Sequence, residues 1–73
     1  MGIKQVLGNN VRRKRMAMGY QQKDFALKLS YYAPGLSEIE NAKRWPVDKL
    51  IDNLAETLKC EVWELFKDEN DRD

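Results

Sequence analysis

Seventy-three residues, 42% hydrophobic and 34% charged, suffice for one domain with a thin core and hold no apolar run long enough for a membrane span. A single cysteine, Cys60, cannot bridge within the chain, and the absence of histidine removes the commonest acid–base and metal-ligand side chain. A disulfide framework, His-based catalysis and a His-containing metal site are therefore excluded, and no cofactor is expected.

The net charge of +1 conceals a division, because residues 1–28 carry +6 and residues 29–73 carry −5. One end could meet a polyanion while the other keeps the protein soluble; the plainer reading is two solvated faces. The N-terminus shows no apolar signal segment, so a cytoplasmic protein is expected.

Ile3, Leu7, Val11 and Met18 follow helical spacing, and Gly19 is a natural stop, which predicts a first helix over about residues 3–18. Phe25, Ala26 and Leu29 predict a short helix over about residues 22–29, followed by a turn at Ser30, Tyr31 and Tyr32. Leu36 and Ile39 mark a third helix, from Ala33 to Asn41. Lys43, Arg44, Trp45 and Pro46 form a basic loop, with Pro46 suited to a helix start. Val47, Leu50, Ile51, Leu54, Ala55 and Leu58 make a continuous stripe at 3.6-residue spacing, the clearest helix in the chain. Val62, Leu65 and Phe66 close the series, and residues 67–73, rich in Asp and Glu, read as a frayed acidic tail. The expectation is an all-α, compact five-helix bundle, with one domain over residues 1–66 and the tail beyond it.

Two short helices joined by a tight turn, with a small residue (Ala26) at the elbow, have the spacing of a helix-turn-helix. Phe25, Leu29, Tyr31, Leu36 and Ile39 occupy the positions that pack between the two helices. From Leu7 to Phe66 the chain resembles the Xre/Cro-type helix-turn-helix family, the DNA-binding domains of lambdoid phage repressors and Cro proteins. The matching strings are LGNNVRRKR with Gly19 following, QQKDFALKL, LSEIENAKRWP and LAETLKCEVWELF, in order and without insertion.

The resemblance implies that helix three enters the DNA major groove. It also implies that Arg15, late in helix one, pairs with Glu40, late in helix three, tying the two together as a structural pair. Gln22 falls where the family contacts a phosphate, and Asn41, Lys43 and Arg44 fall in its backbone-contacting loop. The base-edge positions are Ala33, Pro34, Ser37 and Glu38. Of these, Glu38 could accept from cytosine N4 and alanine could meet a thymine methyl. In the run Arg12-Arg13-Lys14-Arg15 consecutive side chains point around the helix, so the four cannot form one patch.

Several positions depart from the family. Ala33-Pro34-Gly35 stands where relatives present polar readers, so base readout should be thin. Ser30 and Ala42 replace turn glycines, and Tyr32 replaces a Ser/Thr cap. Trp45 and Trp63 fall near the family's subunit contact, where each serves either as a dimer anchor or as a cap on the small core. Cys60 reads as a small buried hydrophobe.

These features together predict a sequence-specific DNA-binding transcriptional regulator, not an enzyme. It would act as a repressor that binds a palindromic operator as a homodimer. The alternative is a protein-interaction module on the same fold, such as an antitoxin or partner-binding subunit, which Ala33-Pro34-Gly35 favours.

Overall fold

The computed structural model describes residues 2–68. Five helices follow one another: α1 (Ile3–Ala17), α2 (Gln22–Lys28), α3 (Ala33–Glu40), α4 (Asp48–Thr57) and α5 (Val62–Leu65). Among the described residues there is no strand, and no helix is long and apolar enough to cross a membrane. The tail expected over residues 67–73 lies outside the described residues from 69 onward.

The core collects one apolar stripe from each helix: Leu7 and Val11, Phe25 and Ala26, Leu36, Leu54 and Ala55, and Leu65, with Leu29 and Leu58 at helix ends. α1 lies against both α3 and α5, so it is the spine on which the other elements are mounted. Gly8 makes this approach possible. A Cβ there would stand 2.5 Å from the Ile39 carbonyl oxygen and 2.8 Å from that of Glu40. Only a residue without a side chain lets α1 press directly on the last turn of α3.

The helices stop by one device used four times. After α1, α2, α3 and α4 the chain turns through a left-handed residue at Gly19, Ser30, Ala42 and Lys59, with φ of 83°, 55°, 63° and 57°. In each case two backbone N–H groups reach back to carbonyls of the last turn; after α3, Ala42 donates to Ile39 and Lys43 to Glu38. Only the first position has the glycine that this backbone favours.

Side chains close two further ends. Asn10, buried in α1, donates from Nδ2 to the carbonyls of Leu65 and Lys67 at 2.8 Å each, finishing α5. Asn53 in α4 donates to the Leu29 carbonyl at 3.0 Å, finishing α2.

Four expectations need correction. Pro46 does not open α4; it is buried two residues before Asp48, with Val47 as the N-cap. Val47 is exposed, so the buried stripe of α4 starts later. Ile3 and Met18 are exposed, and Val6 takes the buried place at the front of α1. Cys60 is only partly buried, packed at the margin of the core.

Candidate nucleic-acid interface

α2, the turn at 29–32 and α3 form two helices held at their elbow by Phe25, Ala26, Leu29 and Leu36, all buried. What holds this unit to the rest is a buried polar knot. Arg15 donates from Nε to Glu40 Oε2 at 2.7 Å and from Nη2 to Oε1 at 3.1 Å, a two-pronged pair. Its third prong, Nη1, donates to the Tyr20 carbonyl at 2.6 Å, and Gln22 Nε2 reaches Glu40 Oε1 at 2.9 Å. The knot joins α1, the α1–α2 turn, the start of α2 and the end of α3.

Gln22 therefore sits at the first position of α2 with its amide fixed from behind. A primary amide carries two N–H donors, so the bond to Glu40 orients the group without exhausting it. The basic run of α1 disperses around the helix. Arg13 donates to Asn10 Oδ1 at 3.1 Å, Lys14 lies 3.8 Å from Glu64, and Arg15 belongs to the knot.

Pro34, Ser37 and Glu38 lie on the accessible face of α3, with Tyr32 before it and Asn41 after it, while Ala33 packs against the core margin. Several polar groups of this face make bonds within the chain. Asn41 Nδ2 turns back to the Ser37 carbonyl at 2.9 Å and Ser37 Oγ at 3.3 Å. Arg44 Nε donates to Glu38 Oε1 at 2.7 Å, although both side chains are more than two-fifths exposed. The hydrogen bond from Arg44 to Glu38, reinforced by that carboxylate's charge, raises the guanidinium above its ordinary value. The same guanidinium lies 5.8 Å from the centroid of the Tyr32 ring. Lys43, next to Arg44 in sequence, is exposed.

Pro34 occupies the second position of α3, where a missing N–H costs no helical bond. Gly35 is buried beneath two aromatic rings, and a Cβ on it would meet Tyr31 Cε2 and Tyr32 Cε1 at 2.7 Å each. The rings themselves pack at 4.9 Å between centroids, inclined by 56°. The glycine that weakens this turn by propensity is what lets both tyrosines close over it.

Trp45 packs on Phe66, with centroids 5.9 Å apart, as a cap on the small core would, and stays 43% exposed. Trp63 is 62% exposed. An open groove of about 700 Å³ runs between α4 and the preceding loop, lined in part by Tyr31, Trp45, Pro46, Val47 and Leu50. Burial pushes the Cys60 thiol up, away from the thiolate a nucleophile requires.

Three residues of structural weight were not singled out by sequence reasoning: Gly8, Asn10 and Asn53. Gly8 and Asn10 lie within a string quoted for the family resemblance, but nothing local marks a glycine as an interhelical contact or an asparagine as a remote helix cap.

A helix-turn-helix family model matches residues 11–64. The chain belongs to this Xre/Cro-like helix-turn-helix family of DNA-binding domains. No curated protein matches the sequence significantly. Solved structures do match. A hypothetical transcription factor, NHTF from Neisseria, has a TM-score of 0.88 at 20% identity, over 93% of this chain and 78% of that one. The restriction-modification controller protein C.AhdI from Aeromonas hydrophila has a TM-score of 0.80 at 27% identity, over 86% and 91%. The clp gene regulator ClgR from C. glutamicum has a TM-score of 0.80 at 20% identity, over 89% and 84%.

Proposed function

We propose that this protein is a DNA-binding transcriptional regulator that places α3 in the major groove and holds the backbone with Gln22, Lys43 and Arg44. The observation that carries the reading is the knot at Glu40. It fixes the outward face of α3 relative to the start of α2, so that a base-facing helix and a phosphate-facing helix start keep one register. Lys43 and Arg44 follow directly on α3, where cations meet the backbone flanking the groove.

The similarity to a controller protein and to a gene regulator supports the same class. Repression by occupancy of a palindromic operator, with two copies side by side, is the form we favour. The exposed ring of Trp63 and the half-exposed ring of Trp45 supply apolar surface for such a pairing. The action is binding, in the cytoplasm, without cofactor or chemistry. A second reading, a protein-interaction module, draws support from the groove beside α4, whose lining includes Tyr31, Trp45 and Val47, as well as from Ala33-Pro34-Gly35.

The experiment is a titration of the purified protein onto a random-core duplex library at two salt concentrations, with the bound sequences read out. Enrichment of a two-fold symmetric site, weakening with salt, is the expected result. Absence of any duplex binding at low salt would reject the regulator and leave the interaction module.

A further inference from the structure

The face that α3 would present to base edges has an unusual division of labour. On its later turn an amide and a carboxylate each make a bond inside the chain: Asn41 Nδ2 donates to Ser37, and Glu38 Oε1 accepts from Arg44. Its first turn is chiefly carbon. Pro34 is exposed, Tyr32 is half exposed and polar only at its phenol, and Ala33 packs against the core with part of its methyl still accessible. Gly35 has no side chain because the two tyrosine rings occupy that space, which fixes the apolar cap over the first turn. A cationic loop, Lys43 and Arg44, borders this surface, so the partner that fits is an anion with an apolar feature on its accessible edge.

We propose that the first turn of α3 selects its site by apolar contact with the C5-methyl groups of thymines in the major groove, not by hydrogen bonds to base edges. The proposal rests on the regulator reading above and deepens it. In the major groove the thymine methyl is the only apolar substituent that a base presents, and neither cytosine nor a purine carries it. A pyrrolidine ring and a tyrosine edge can bury such a methyl, whereas neither Ala33 nor Pro34 offers a side-chain donor or acceptor. Tyr32, Ala33 and Pro34 thus become specificity residues, and Glu38 becomes a partner of Arg44 rather than the principal reader.

The test changes the DNA, so folding of the protein does not enter. Sites enriched from the duplex library are resynthesised with uracil in place of each thymine in turn, which deletes the methyl and leaves every hydrogen-bonding group of the edge unchanged. At one or two positions per half-site the affinity should fall roughly three- to tenfold, the size expected for losing one buried methyl. Pro34→Ser should lower that sensitivity to uracil while keeping the wild-type salt dependence. Equal affinities for thymine and uracil duplexes at every position would overturn the proposal and leave the regulator reading intact. A protein that enriches no duplex at all overturns both.

Discussion

Arg15 and Glu40 are joined through two hydrogen bonds, of 2.7 and 3.1 Å, across the contact between α1 and α3, and Gln22 adds a third to the same carboxylate at 2.9 Å. Both side chains of the pair are less than one-tenth exposed. Breaking such a pair from one side leaves a buried charge without its partner, which is worse than never having had the pair.

Arg15→Met should therefore destabilise the fold by about 3–5 kcal/mol, a large share of what a domain of this size possesses. The double substitution Arg15→Met with Glu40→Leu should recover much of that loss, since two apolar groups can replace a buried ion pair at little cost. Urea denaturation of the three proteins checks this. A double variant no more stable than the single one would show that the pair itself, rather than the orphaned charge, sets the stability.

The four left-handed helix ends make a prediction of opposite sign. A non-glycine residue in that region costs on the order of 1–2 kcal/mol, and glycine removes the strain at a smaller cost in unfolded-chain entropy. Lys59→Gly and Ala42→Gly, at φ of 57° and 63°, should each stabilise the protein by up to about 1 kcal/mol. Their effects should add, because the two turns follow different helices. Thermal unfolding of the single and double variants measures this, and a lowered midpoint for Lys59→Gly would argue against strain at that turn.

Gly8→Ala introduces a methyl where α1 touches backbone oxygens of α3, at 2.5 and 2.8 Å. Carbonyl oxygens in a helix cannot swing aside as a side-chain tip can, so the helices must separate. A loss of about 1–3 kcal/mol is expected, with weaker duplex binding wherever folding persists, because α3 is displaced with its last turn. Chemical denaturation combined with a duplex titration reports both, and an unperturbed protein would contradict the packing described for α1.

These residues also mark how far the sequence could be read. The five helices were legible because apolar spacing and stop residues are local: Gly19 ends α1, and Leu54, Ala55 and Leu58 form one stripe of α4. The link between Arg15 and Glu40 was legible only through family resemblance, since 25 residues separate them. Asn10 was not, because its role is to finish a helix 55 residues further on, and an asparagine within a helix gives no sign of that. The bond between Arg44 and Glu38 was also missed. The two were assigned separately to phosphate and base edge, and the left-handed turn at Ala42, which lies between them, carries no glycine to announce it.

That bond bears on DNA affinity. Glu38→Gln removes a negative charge from the face of α3 and frees Arg44, so binding to duplexes of arbitrary sequence should strengthen several-fold at low salt and depend more steeply on salt. Fluorescence anisotropy with a random-sequence duplex checks it. Unchanged affinity would mean that Glu38 and Arg44 lie away from the bound DNA.

The most direct test of the interface is the salt dependence of duplex binding for the wild type against a Lys43→Ala, Arg44→Ala double variant. If both side chains hold phosphates, the variant should bind all sequences more weakly, and its plot of log K against log salt should flatten by up to about 2 units. A double variant that binds duplex DNA with the wild-type slope would remove the loop after α3 from the interface, and with it the placement of α3 in the groove.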